Sequence, residues 1–252
     1  MPRLNTAVFM RPDFETAVYV GSLALKRVVD EWRDRGFAFT DLAGDSAVRV
    51  RVLEALAAND PVFCLLLGHG NETTLTGQGY DKVFWTCDSR ELAGRVVYAL
   101  SCITAAELGP DAVAKGCKTY IGYDKTFGWI MSVIQDPLAD PYARSFFEPV
   151  LEIVRRLMAG FSAGEAYRAS VDKWNEWIDY WSRSVDPAAA SVVMWLVHDR
   201  DAQKLLGDGT ATVVTVTPIL TYAAMAVLGS LPILVAAGIS IYSELTKKPP
   251  VV

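Results

Sequence analysis

Two side chains in this chain of 252 residues have types that together perform nucleophilic catalysis, His69 and Cys102. His69 lies between two glycines at the end of the apolar run 61–68, and Cys102 follows Ser101 at the end of the apolar run 95–101. A free cysteine is only a few per cent thiolate at neutral pH, so an adjacent imidazole would raise its nucleophilic fraction and later protonate a leaving amine. The pair therefore predicts covalent catalysis by a cysteine, provided that the fold brings the two residues together.

The runs that end in these residues have the pattern of strands buried on both faces. Residues 61–68, 95–101 and 118–123 are continuously apolar rather than alternating. Other strands are predicted at 6–10 and 37–42, and helices at 14–36 (ending at Gly36), 45–60 (capped by Asp45 or Ser46) and 104–116. Strands and helices that alternate in this way predict an α/β sandwich around a mostly parallel sheet.

A parallel sheet would place His69 and Cys102 at one edge, because the carboxyl ends of its strands lie together. Neighbouring strands are about 4.8 Å apart, which is close enough for an imidazole and a thiol to share a site. Gly70 would let its backbone N–H approach a developing oxyanion, and the polar, glycine-rich connection 71–91 would form a rim. The alternative is that His69 is a structural histidine in a tight turn after a buried strand.

Composition and missing motifs argue against several other functions. The net charge is −5, and no cluster of lysines and arginines indicates a nucleic-acid partner. Four cysteines without a CxxC pair, together with two histidines, predict no metal site, and we expect no cofactor. The sequence contains no GxSxG elbow and no GxxxxGK phosphate loop, and Gly68-x-Gly70 lacks the third glycine of a dinucleotide fingerprint.

The carboxyl-terminal part has a different composition from the rest. No charged residue occurs between Asp208 and Glu244, and residues 219–242 are long and apolar enough for one helix to cross a bilayer. We therefore predict a globular domain at 1–209 and a hydrophobic membrane anchor with a short tail at 210–252. No signal peptide is evident at the amino terminus, so we expect a tail-anchored, single-pass protein with its globular domain in the cytosol. The alternative is a buried core helix.

Several segments together resemble the caspase-like (clan CD) cysteine peptidases, most closely their prokaryotic gingipain-type and CHAT-type branches. The segments are "LLLGHGN", "VVYALSCITAAELGPDAVAKGCKTYIGYD", "SFFEPVLEIVRRLMAGFSAGEAYRASVDKW" and "LLGDGTA". The resemblance implies a caspase-hemoglobinase-like fold and a catalytic dyad of His69 and Cys102. It also implies an oxyanion hole made by the backbone N–H groups of Gly70 and Cys102.

The chain departs from members of this family that cleave after arginine or lysine. These often have an aspartate two residues before the cysteine, where this chain has Leu100. We therefore expect that arginine and lysine are not the dominant P1 residues. Asp88 or Asp124 is the candidate for a substrate-binding acid approaching from another loop.

Two features of the second half allow both a structural and a functional interpretation. A helix face carries Val171, Trp174, Trp177, Ile178 and Trp181, and it would pack in the core or rest at a membrane interface. His198, preceded by a short predicted strand, is predicted to be structural because no second nucleophile accompanies it.

The leading hypothesis is a membrane-anchored, caspase-like cysteine endopeptidase that acts on a protein or peptide substrate. The alternatives are a proteolytically silent caspase-like scaffold and a membrane effector that acts through its hydrophobic segment. Assembly into a homo-oligomer is left open by the sequence.

Overall fold

The computed structural model describes residues 2–33, 37–132 and 136–214, which fold into a mixed α/β structure. The strands of this part are β1 (Arg3–Arg11), β2 (Ala38–Ala43), β3 (Pro61–Leu67), β4 (Thr74–Thr76), β5 (Lys82–Trp85), β6 (Val96–Leu100), β7 (Thr119–Tyr123) and β8 (Gln203–Gly207). The helices are α1 (Thr16–Trp32), α2 (Arg49–Asn59), α3 (Leu108–Ala114), α4 (Pro141–Met158), α5 (Ala163–Ser182) and α6 (Ala189–Ala202).

One six-stranded sheet of order β2-β1-β3-β6-β7-β8 organises the molecule. Its first five strands are parallel, and β8 pairs with β7 in the antiparallel direction. The mostly parallel sheet predicted from the sequence is thus confirmed, whereas the edge strand β8 was not predicted. The strands β4 and β5 form a separate antiparallel pair within the connection that follows β3.

Helices cover both faces of the sheet, which explains why its central strands are continuously apolar. Along β3, Phe63 and Leu65 belong to the core cluster shared with α1, α4, α5 and α6. Cys64 and Leu66 point to the opposite cluster, which includes residues of α2, α3 and the β4–β5 pair. Full burial of one such aliphatic or aromatic side chain stabilises the fold by about 1.5–3 kcal/mol, so both alternating sets must be apolar.

The aromatic face of α5 packs in the core. Trp174 is fully buried and Trp181 nearly so, while Trp177 and Ile178 are partly buried against the same cluster. The helix begins with a capping box, in which Ser162 and Glu165 each bind the other's backbone N–H. The core-packing interpretation of this face is therefore confirmed.

Two predicted local structures were wrong. The segment before His198 is not a strand but part of α6, because Val192 and Leu196 are buried one helical turn apart, and this packing overrides the strand preference of its valines. The helix predicted from residue 45 begins as α2 at Arg49, with Val48 in the N-cap position. Residues 44–46 instead form a separate 3-10 turn, so neither predicted cap residue caps the helix.

The core continues to the end of the described chain. Ala211 and Val213 are buried, the Ala163 N–H donates to the Ala211 carbonyl (2.9 Å), and the Asn5 N–H donates to the Val213 carbonyl (3.0 Å).

By contacts the chain divides into residues 1–215 and 216–252. The predicted anchor helix 219–242 and the predicted helix stop at Gly36 lie outside the described residues. Among the helices that are described, none is both long and apolar enough to cross a bilayer.

Candidate active site

His69 and Cys102 follow neighbouring parallel strands at the same edge of the sheet. β3 and β6 are in register with Leu67 opposite Leu100, and the Gly68 N–H donates to the Leu100 carbonyl (3.3 Å). Each candidate residue comes two positions after the last residue of its strand. The structure thus brings together the two strand ends that the sequence singled out.

The imidazole of His69 is held by a carboxylate and two aromatic rings. Its Nε2 is hydrogen-bonded to Oε1 of Glu15. The Tyr80 ring stacks on it with centroids 5.4 Å apart, and the Phe14 ring meets it edge-on at 6.1 Å. Since Glu15 engages Nε2, the nitrogen left to exchange a proton with another group is Nδ1.

Glu15 is a site residue that the sequence analysis missed. It is the N-cap residue of α1, yet its side chain makes no capping bond and instead binds His69 and the Tyr80 hydroxyl (2.9 Å). The Tyr80 hydrogen bond is the main cause that lowers the pKa of Glu15, and the same bond raises the pKa of Tyr80. A signal was present, because Glu15 follows β1, the neighbour of β3, at the edge where parallel strands end.

Cys102 is partly buried and differs in exposure from the other three cysteines. Burial is the main cause that raises its pKa, and its Sγ lies 4.0 Å from the carbonyl oxygen of Phe127. Among the described residues no hydrogen bond joins Cys102 to His69. Cys64 and Cys117 are buried, which raises the pKa of each to about 12, whereas Cys87 is exposed.

Gly70 lies so close to the Cys102 loop that no side chain fits there. A Cβ at this position would be 2.3 Å from Oγ of Ser101, 2.5 Å from Cγ2 of Thr104 and 2.6 Å from the carbonyl oxygen of Cys102. Within the described residues, the backbone N–H groups of Gly70 and Cys102 donate to no other residue. A ligand acceptor would therefore compete with no other described residue for these N–H groups, although the Cys102 N–H also interacts with its own sulfur and thereby acts to lower the pKa of that thiol.

The two candidate substrate-binding acids are each paired with a base. Asp88 accepts a hydrogen bond from Nη2 of Arg49 (2.8 Å), and Arg49 lies at the start of α2. Asp124 follows β7 at the same sheet edge as Cys102, but its carboxylate lies 3.3 Å from Nζ of Lys204. Each acid is thus paired through one oxygen, while Oδ1 of Asp124 is buried without a hydrogen-bond partner among the described residues. Substrate binding by either acid stays a prediction.

A third acid, Asp199 of α6, is buried near the candidate nucleophile. Its Oδ1 accepts from the Gly128 N–H (3.1 Å), and its Oδ2 has no partner within the described part of the chain. Burial raises the pKa of Asp199 well above its ordinary value of 3.8. His198, next to it in α6, binds the Thr126 carbonyl through Nε2 (2.8 Å), which agrees with a structural role.

Comparisons with known proteins identify a fold but no sequence family. No family model matches the chain, and no curated protein matches it in sequence. A solved structure of the complex of Porphyromonas gingivalis RgpB pro- and mature domains is similar, with a TM-score of 0.52 and 12% identity over 83% of this chain. The chain spans 48% of the length of that gingipain chain. At this identity the likeness shows the fold alone, and the predicted caspase-like fold is confirmed.

Proposed function

We propose that the protein is a caspase-like cysteine peptidase in which Cys102 is the nucleophile and His69 the general acid and base. The observation that carries the proposal is the edge of the sheet where β3 and β6 end side by side, each two residues before one of these two side chains. The orientation of His69 by Glu15 supports it, because a hydrogen bond to one ring nitrogen leaves the other available for proton transfer. The gingipain-like fold supports a protein or peptide substrate.

The chemistry follows from these positions. Nδ1 of His69 accepts the thiol proton, and Sγ of Cys102 attacks the scissile carbonyl carbon. The N–H groups of Gly70 and Cys102 bind the resulting oxyanion. As the C–N bond breaks, the imidazolium gives its proton to the leaving amine and a thioester remains. His69 then deprotonates a water molecule, which hydrolyses the thioester and releases the thiol.

One observation favours a second candidate, a proteolytically silent scaffold with the same fold. Burial raises the pKa of Cys102, and no described hydrogen bond joins its thiol to His69, so an imidazole does not stabilise a thiolate in this conformation. A scaffold would keep the fold and bind partners without cleaving them.

Labelling with a peptide probe that carries an electrophilic carbonyl separates the two functions. We expect wild type to be labelled at Cys102 and Cys102→Ala not to be labelled, although Cys64, Cys87 and Cys117 remain. His69→Ala should lose labelling as well, while Cys87→Ser, the exposed-thiol control, should keep it. Undiminished labelling of Cys102→Ala would rule out this nucleophile. A folded wild type that is neither labelled nor able to cleave peptides would favour the scaffold.

We also propose that residues 219–242 anchor this peptidase domain in a membrane and leave the domain in the cytosol. Support comes from the sequence alone, since this segment is apolar over 24 residues and uncharged. The full chain should stay with membranes through alkaline carbonate washing, and a chain ending at Thr215 should be released. If the full chain washes off, the segment belongs to a core or an interface instead, and the membrane-effector alternative fails with it.

A further inference from the structure

Tyr80 has a backbone conformation that packing alone does not explain. It ends the 3-10 turn Gln78–Tyr80 with a φ of +64°, in the left-handed region that a bulky residue adopts only at an energetic cost. The residue is 58% exposed, so burial of the ring offsets little of that cost. The ring of Tyr80 therefore does not serve to fill the core.

Within the described part of the chain, the side-chain hydrogen bond and the ring contacts of Tyr80 are with residues around the candidate base. Its hydroxyl donates to Oε2 of Glu15 (2.9 Å), its ring stacks on His69 with planes 24° apart, and Phe14 meets it edge-on at 4.9 Å. Because Oε1 of Glu15 is bound to Nε2 of His69, the tyrosine and the histidine hold the two oxygens of one carboxylate.

The turn that carries Tyr80 is tied to the segment that carries Glu15. The side chain of Gln78 accepts from the Asp13 N–H (2.9 Å) and donates to Oδ1 of Asp13 (3.1 Å). The Gln78 N–H also donates to the Ala47 carbonyl (2.8 Å), which fixes the turn to the approach to α2. These bonds connect the turn of Tyr80 directly to the segment before Glu15 and to the segment before α2.

We propose that Tyr80 is a positioning residue for His69. Its hydroxyl orients the Glu15 carboxylate and its ring supports one face of the imidazole, so that Nε2 keeps its proton and Nδ1 is the accepting nitrogen. A hydrogen bond from a hydroxyl favours the ionised carboxylate, and an ionised carboxylate favours the Nε2–H tautomer of its histidine. The role rests on the proposed function in taking His69 as the base, but the tautomer is measurable without catalysis.

The first test measures the share of the Nε2–H tautomer of His69 by ¹⁵N NMR of the imidazole nitrogens. The chain has two histidines, so His198 serves as an internal reference. We expect neutral His69 to be mainly the Nε2–H form in wild type and a smaller share of that form in Tyr80→Phe, which keeps the ring and loses the hydroxyl. The matched control is Tyr180→Phe on α5, where the tyrosine is 60% exposed; it should leave the signal unchanged. An unchanged tautomer share in Tyr80→Phe would overturn the role.

The second test asks whether the effect passes through Glu15. In a Cys87→Ser background, Tyr80→Phe should lower the labelling rate of Cys102 about tenfold, as expected for loss of one charge-assisted hydrogen bond. Added to Glu15→Gln, it should change the rate by less than about twofold, because two members of one network are not additive. An equal loss in both backgrounds would overturn the role. If wild type is not labelled while the tautomer still depends on Tyr80, the proposed function fails and the positioning role stands.

Discussion

Substitution of Gly70 by alanine tests whether the His69 and Cys102 loops must touch as closely as described. The added Cβ would lie 2.3 Å from Oγ of Ser101 and 2.6 Å from the carbonyl oxygen of Cys102. The two loops must therefore separate by about 1 Å to reach ordinary van der Waals contact. A displacement of about 1 Å at reacting groups can cost on the order of 100-fold in rate.

The same substitution should also destabilise the fold, but only moderately. Overpacking of a tight site typically costs about 1–3 kcal/mol, and each kcal/mol lowers the Tm by about 2–4 °C in a domain of this size. We expect Gly70→Ala to remain folded at 25 °C, with a Tm lowered by several degrees and a labelling rate lowered about 100-fold. Calorimetry and the peptide probe measure the two quantities.

Gly209→Ala is the matched control for this substitution. A Cβ at Gly209 would meet its nearest atoms at 3.9 Å, so both the Tm and the labelling rate should stay close to wild type. A Gly70→Ala protein that labels as fast as wild type would refute the close approach of the two loops as a requirement for reactivity. An equal loss in Gly209→Ala would show that the probe responds to stability rather than to the site.

Three further outcomes are expected. Asp41→Ala should destabilise the fold by about 3 kcal/mol in denaturant titration, because the buried Arg11 guanidinium donates to both Asp41 oxygens (2.7 and 2.8 Å) and would keep only its bonds to Ser22, without a counter-charge. A loss below about 1 kcal/mol would contradict this. The pKa of Asp199 is raised by burial, so the unfolded chain releases this proton first, and the contribution of Asp199 to stability falls as the pH rises above about 4. The stability of Asp199→Asn relative to wild type should therefore grow from pH 4 to pH 7, and a constant difference would argue against a buried neutral acid. If the chain cleaves peptides, a peptide library should show no dominant cleavage after arginine or lysine, because Leu100 stands where the peptidases it resembles often have an aspartate. Strong cleavage after either residue would overturn that expectation.

The sheet and its functional edge were predictable because burial leaves a local trace in the sequence. A strand covered on both faces must be apolar at every position, as β3 is, and this pattern needs no knowledge of distant residues. The rule that parallel strands end at one edge then pointed to His69 and Cys102. Local patterns were less reliable where tertiary packing decides, as in α6, whose valines suggested a strand.

The surroundings of His69 were not predictable in the same way. Glu15 lies 54 residues before His69 and 65 residues before Tyr80, and neither pairing follows a local periodicity. An exposed tyrosine in a loop and a glutamate at a helix start are ordinary in sequence. The position of Glu15 after β1 places it near the functional edge, but its contact with His69 and Tyr80 is specific to the folded chain, where Tyr80 has a positive φ and the Glu15 side chain makes no bond to its own helix.

The hydrogen bond between Asn5 and Val213 has a practical consequence for how the protein can be handled. It places the two ends of the described domain side by side where β1 begins, whereas His69 and Cys102 lie where the strands finish, roughly 20 Å away along the sheet. In a chain ended at Thr215, a fluorophore, an affinity handle or a solid support joined at that end would therefore lie far from His69 and Cys102. Such an attachment would leave the edge that carries His69 and Cys102 open to a probe arriving from solution.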